Sequence, residues 1–216
     1  MRKWVEKEKI ISLFKDGQSI FVGGFLTCGT PEYLIDLVIE SKVKNLTIIC
    51  NDGGMPDKGV GRLIANHQVK KLIASHIGTN PEVGKRMSEQ TLDVELVPQG
   101  TLIERIRAYG AGLGGILTPT GFKTIVEEKK QVLYVQNKPF LLEEALGADV
   151  ALVLAQHADH LGNLTYSKTT RNFNPIIATA AKHTIVEVRT KKETIDPEHV
   201  ITPHIFVNYM IQKEGQ

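Results

Sequence analysis

The spacing of apolar positions switches repeatedly between helical and strand periods along this 216-residue chain. Residues 4–14 place apolar side chains at helical intervals, and Asp16-Gly17 ends that pattern. Ser19-Ile20-Phe21-Val22 is a short apolar run that predicts a buried strand entering the turn Gly23-Gly24. From Pro31 the stretch 32–39 returns to helical spacing, and 46–50 predicts the next strand. Helices are expected at 63–68, 82–90 and 102–109, alternating with strands at 71–74 and 94–97. Alternation at this tempo predicts an α/β fold with a mainly parallel central sheet and helices on both faces.

The second half is richer in strand signals, at 132–135, 151–154 and 184–188, with a turn at 159–163. No internal repeat, low-complexity tract or linker interrupts the pattern, so one domain over 1–216 is expected. Hydrophobic residues make up 42% and charged residues 23%, enough apolar material for a packed core. The 26 Lys and Arg nearly balance the 24 Asp and Glu, and the basic pairs are scattered rather than gathered with aromatics. That argues against a nucleic-acid partner. The charged 1–9 stretch has no signal-peptide core, and no apolar run is long enough to span a bilayer, so no membrane association is expected. The two cysteines, Cys28 and Cys50, are far apart, which favours a reducing, cytoplasmic setting.

The most informative local feature is strand, then Gly23-Gly24-Phe25-Leu26-Thr27-Cys28-Gly29-Thr30-Pro31, then helix. Pro at a first helical position and Thr30 as N-cap would open the helix. Glycines let a backbone approach a ligand closely, and free amides at a helix N-terminus attract a phosphate. The same glycines also serve any tight strand-to-helix turn, so chemistry alone leaves both readings open.

Residue order goes further. Asp16-Gly17, two spacers, Ile20-Phe21-Val22, Gly23-Gly24-Phe25, three spacers, Gly29, one spacer and Pro31 resembles the first signature of the family I CoA-transferases. Asn51-Asp52-Gly53-Gly54, Val97-Pro98-Gln99-Gly100-Thr101 and Gly114-Gly115-Ile116-Leu117-Thr118-Pro119-Thr120-Gly121 are similar to segments of that family's alpha subunit, in the same order. So are Ala158-Asp159-His160-Leu161-Gly162-Asn163-Leu164, Arg171-Asn172-Phe173-Asn174-Pro175 and Thr202-Pro203-His204-Ile205-Phe206-Val207.

The resemblance implies a ping-pong transfer of CoA between a short-chain acyl-CoA (acetyl, butyryl or 3-oxoacyl) and a free carboxylic acid. A glutamate on a beta subunit, in a Ser-Glu-Asn-Gly-like motif, is the expected nucleophile. That string is missing here, since Ser88-Glu89 is followed by Gln90, so no catalytic residue is expected in this chain and a beta-subunit partner is. CoA is expected as a substrate, with no tightly bound cofactor. Gly24, Phe25, Leu26, Thr27, Cys28, Gly29 and Thr30 are the expected CoA-binding residues. Gln99 is a candidate to orient the carboxylate, its other reading being the cap of a strand end. The 110–121 loop is the candidate wall of an acyl pocket. The alternative is a protein of the same fold that binds a CoA ester or a sugar phosphate without chemistry.

Three other patterns are set aside. Gly110-Ala111-Gly112-Leu113-Gly114-Gly115 satisfies GxGxxG but follows a helix rather than a strand. Gly78 to Lys85 has one residue too many for a P-loop, and Arg86 stands where Ser or Thr is needed. His157, Asp159 and His160 fall in a turn without further ligands nearby, so no metal is expected.

Overall fold

The computed structural model describes residues 3–213. Eleven strands and six α-helices are present among them. In chain order they run α1 (Lys7–Ile11), β1 (Ser19–Val22), α2 (Glu32–Ser41), β2 (Leu46–Ile49), α3 (Val60–Ala65), β3 (Val69–Ala74), α4 (Pro81–Ser88), β4 (Asp93–Leu96) and α5 (Gln99–Gly110). The second half contributes β5 (Gly115–Thr118), β6 (Val132–Val135), β7 (Lys138–Glu144), β8 (Ala148–Ala158), β9 (Leu164–Thr165), α6 (Asn174–Ile177), β10 (Ala181–Lys191) and β11 (Tyr209–Ile211).

The main sheet has the order β11-β10-β8-β1-β2-β3-β4 and is parallel throughout this path, with short β9 added antiparallel to β8. Both faces are covered, which explains why β1, β2 and β8 read as nearly unbroken apolar runs. Ile20, Val22, Ile48, Leu72 and Leu152 pack on one side with Leu34, Val38 and Leu63 from α2 and α3. Phe21, Ile49, Ile73, Ala151 and Val153 pack on the other with Leu102 and Ile106 of α5 and Ile177 of α6. The sheet order reverses at β1: the chain steps outward to β4, then returns to lay β8 on the opposite flank of β1. In doubly wound sheets, ligands settle at the carboxyl ends of strands flanking such a reversal.

A separate antiparallel sheet, β5-β7-β6, leans on α5. The sequence pattern missed β5 and the short β9 and β11, which are two to four residues long and carry little periodic signal.

Several expected boundaries are corrected. The helix expected over 4–14 is only Lys7–Ile11, because Trp4 instead forms a parallel bridge to Met210 beside β11. Pro31 occupies the N-cap position rather than the first turn of α2, and Thr30 makes no capping bond there. Helix α5 begins at Gln99, three residues before the expected start, with Pro98 at its N-cap. Gln99 therefore opens a helix and does not close a strand.

Candidate active-site cavity

The loop after β1 is a two-residue hairpin. Phe25 N donates to Cys28 O at 3.0 Å and Cys28 N to Phe25 O at 2.9 Å, with Leu26 and Thr27 between them at φ 46° and 67°. Left-handed backbone at two successive non-glycine residues costs about 1–2 kcal/mol each. It is held by Asp52, buried in the loop after β2, whose Oδ2 accepts from Leu26 N at 2.9 Å while Oδ1 accepts from Gly54 N at 2.8 Å. The hairpin leaves Phe25 and Leu26 roughly half exposed.

The glycines around this hairpin answer to contacts within the chain. A Cβ on Gly23 would lie 1.9 Å from Asn174 Oδ1, and one on Gly24 would lie 2.1 Å from Thr30 Oγ1 and 2.8 Å from Thr30 N. Gly29, at φ +82°, faces the Thr170 backbone at 3.0 Å. Asn174 is the keystone: fully buried, it donates to Gly29 O and Thr170 O at 2.9 Å each and accepts from Leu154 N at 2.9 Å. The space enclosed by Gly23, Gly24, Thr30, Asp52 and Gly59 is only about 10 Å³, too little for a phosphate.

The anion route through the first turn of α2 is also closed. Tyr33 N and Leu34 N donate to Glu187 Oε2 of β10 at 2.8 and 3.4 Å. Burial pushes the Glu187 carboxyl above its ordinary range, and these two amides only partly offset that. Of the seven residues expected at the CoA site, Gly24, Gly29 and Thr30 are buried framework, while Phe25, Leu26 and Cys28 present surface and Thr27 is partly exposed.

A cavity of about 500 Å³ opens at the carboxyl ends of the strands. It is lined by Phe25 after β1, Asn51 after β2, Ser75 after β3, Gln99 and Ile103 of α5, and Asn172, Phe173 and Ile176 around α6. A chain of bonds fixes every amide in it. Asn51 Nδ2 donates to Gly24 O at 2.7 Å; a carbonyl only accepts, so Asn51 must turn its oxygen the other way. That oxygen receives Gln99 Nε2 at 2.7 Å, which in turn aims Gln99 Oε1 at the Ser75 hydroxyl. Ser75 Oγ is also 2.8 Å from Asn51 O. One Nε2 hydrogen of Gln99 is thereby committed, and the second has no partner among the described residues. Sequence reasoning found Gln99 and Phe25 but not Ser75, a lone serine after a strand with no motif to mark it.

Beside this cavity, across the first turn of α5, a second space of about 370 Å³ is lined by Gly100, Thr101 and Glu104 and by Ile116, Leu117, Thr118 and Thr120. The 110–121 segment, expected as a loop, is corrected here: its middle is strand β5, and Ile116, Leu117 and Thr118 face the first turns of α5 across this space. Asp159, set aside above as a metal ligand, is spent on its own turn, accepting from Leu161 N, Gly162 N and Asn163 N at 2.8–3.0 Å.

A parallel sheet that reverses order at β1, with helices on both faces, defines a doubly wound α/β protein, and the oriented amide cluster lies in the crevice at its carboxyl ends. The chain belongs to the coenzyme A transferase family, whose profile matches residues 6–213. It is 54% identical over 200 residues to the acetate CoA-transferase subunit alpha of Escherichia coli K12, covering 92% of this chain and 91% of that one. It is 49% identical over 213 residues to the acetoacetyl-CoA:acetate/butyrate CoA transferase alpha subunit of Clostridium acetobutylicum, covering 98% of each. Its fold matches an acyl-CoA transferase from Escherichia coli O157:H7, solved as a thioester complex with CoA, with a TM-score of 0.88 at 21% identity. That match covers 99% of this chain and 50% of the other, so this chain spans half the length of that structural relative.

Proposed function

We propose that this chain is the alpha subunit of a heteromeric CoA-transferase, supplying a substrate-orienting wall to an active site whose nucleophile comes from a beta subunit. The observation that carries the reading is chemical. None of the eight residues lining the larger cavity is a carboxylate, thiol or amine, yet its amides are held in fixed orientation. The chain's buried glutamates are spent elsewhere, Glu187 on α2 and Glu143 in ion pairs with Lys130 and Arg105. The names of the relatives support a short-chain acid such as acetate, butyrate or acetoacetate.

In this mechanism the partner's glutamate carboxylate attacks the thioester carbonyl, and CoA thiolate leaves to give a mixed anhydride. The thiolate then attacks the glutamyl carbonyl, forming a glutamyl-CoA thioester and releasing the first acid. The second acid runs the sequence in reverse. Gln99 contributes a preorganised N–H to the oxygen of the acid or anhydride, with Ser75 and Asn51 as its positioning residues. Phe25, Leu26, Thr27 and Cys28 offer an apolar and weakly polar surface to the pantetheine arm of CoA, while Gly24, Gly29 and Thr30 shape it. Both cysteines are free thiols, and we place the protein in the cytoplasm.

The test is CoA transfer from acetoacetyl-CoA to acetate, with this chain alone and with its beta chain. Turnover is expected only in the pair. Turnover by this chain alone would place the nucleophile among its own residues, and silence in both would favour a CoA-ester-binding role without chemistry.

A further inference from the structure

The side-chain donors around the 500 Å³ cavity can be counted one by one, and the count leaves little for a ligand. Asn172 Nδ2 donates to Cys28 O at 2.9 Å and to Thr169 O at 2.8 Å, so both of its hydrogens are committed. The Ser75 hydroxyl has one hydrogen and two acceptors in reach, Asn51 O and Gln99 Oε1. Ser75 N already donates to Asn51 O at 3.1 Å, which leaves the hydroxyl hydrogen to Gln99. Asn51 gives one hydrogen to Gly24 O, and its side chain belongs to a residue only 4% exposed. Gln99 is exposed, and its second Nε2 hydrogen is the uncommitted side-chain donor that the cavity presents.

The rest of the lining is apolar. Ile103 lies one turn beyond Gln99 on α5, so the two share a helix face. Ile103 and Ile176 of α6 are each only partly buried against the core and keep surface for the cavity. Among the described residues, no Lys, Arg or His lines this space. One free donor at one end and aliphatic carbon beside it fit an acid with a single carboxylate and a short alkyl tail. A second carboxylate on that tail would lie against Ile103 and Ile176, with no cation and no free side-chain N–H to replace its water. Such a group is costly to bury.

We propose that Ile103 and Ile176 are specificity-determining residues that select monocarboxylic over dicarboxylic acids. The carboxylate of the acid accepts the Gln99 Nε2 hydrogen, and the alkyl tail lies on the two isoleucines, all within one cavity. This assignment rests on the functional reading above and names the class of acid that the site takes.

The first test needs no variant. In the assembled enzyme, with acetoacetyl-CoA as donor, kcat/KM for butyrate is expected to exceed that for succinate by about a hundredfold or more. Comparable values for the two acids would overturn the proposal. Ile103→Ala then removes surface from under the tail. Butyrate has the longer tail, so its kcat/KM should fall about tenfold relative to that of acetate. An equal fall for both acids would show that Ile103 only supports the fold and would overturn its role. Ile103→Arg supplies the missing cation and should raise kcat/KM for succinate about tenfold relative to butyrate. An unmoved ratio in a folded enzyme would count against the proposal. A further readout is independent of turnover: the methyl resonances of Ile103 and Ile176, titrated with butyrate and with succinate. Saturable shifts with butyrate alone support the subsite even if the assembled enzyme proves inactive, which would count against the transferase reading only. Equal shifts from succinate would overturn it, as would the absence of butyrate shifts in both the free chain and the assembled enzyme.

Discussion

Helices α2 and α5 start in nearly the same way and end up with opposite properties. Each follows a strand of the main sheet by a loop, each has proline at the N-cap, and neither receives a side-chain cap from that residue. From local sequence, α2 is the better anion site, with glycines before it and a family signature around it. In the folded chain its first-turn amides are taken by Glu187, which lies 154 residues away along the chain. The α5 terminus, which no glycine motif announces, keeps its amides free beside a cavity. Whether a helix end can bind a ligand is settled by what the rest of the fold brings to it, and a positive dipole end supplied with an internal carboxylate is already neutralised.

The largest expected effect lies on the α2 side. Asn174→Ala would leave Leu154 N, Gly29 O and Thr170 O unpaired in a buried position, at a cost of about 3 kcal/mol or more. Chemical denaturation of the free chain measures it. A loss under about 1 kcal/mol would mean that the hairpin stands without its keystone, and the glycine loop would again be open to a ligand reading.

Glu187 sharpens the contrast. Glu187→Ala frees the α2 amides inside the protein and should cost about 2 kcal/mol, while Glu187→Gln keeps an acceptor oxygen without a buried charge. The pH dependence has a definite sign. Burial raises the folded-state pKa of Glu187 above its unfolded value, so this group favours the fold most when protonated, below the ordinary glutamate range. That contribution is lost as pH rises through the folded pKa. Glu187→Gln should therefore gain stability relative to wild type as pH rises above the ordinary glutamate range. A difference that shrinks as pH rises would show that the two amides outweigh burial.

These two helix ends also show how far the sequence could be read. Alternating apolar runs disclosed the parallel sheet, because strands buried on both faces must be apolar throughout, as 150–155 are. The ordered signature disclosed the family, and Gln99 lay inside one of its segments. What stayed hidden depends on partners distant in sequence. Gly23 and Gly29 are glycine because Asn174 and Thr170 press against them, and nothing near them in sequence says so. The start of α5 was read late because Pro98 offers none of the Ser, Thr, Asp or Asn signals that mark an N-cap. Thr101 closed one of the family-like segments just before the expected helix at 102–109, and nothing in the sequence showed that its hydroxyl is buried without a partner among the described residues.

The smallest effect on stability, and the most direct attempt to make the two helix ends alike, is Pro98→Asp. The N-cap residue of α5 sits at φ −51°, ψ 135°, a conformation that a capping aspartate adopts readily. Its carboxylate would accept from the first-turn amides and meet the helix dipole, worth about 1 kcal/mol. Losing proline frees the unfolded chain and costs about 0.4–1 kcal/mol, so the melting temperature should barely move. Acid binding should move more, because α5 would now carry an internal carboxylate as α2 does, one residue from Gln99, where it repels the charge of the acid. A raised KM for acetate in an enzyme of unchanged stability would show that the acid meets α5 at its uncharged end. An unchanged KM would mean that the acid sits clear of that end, and the difference between the two helices would have no bearing on which acid is bound.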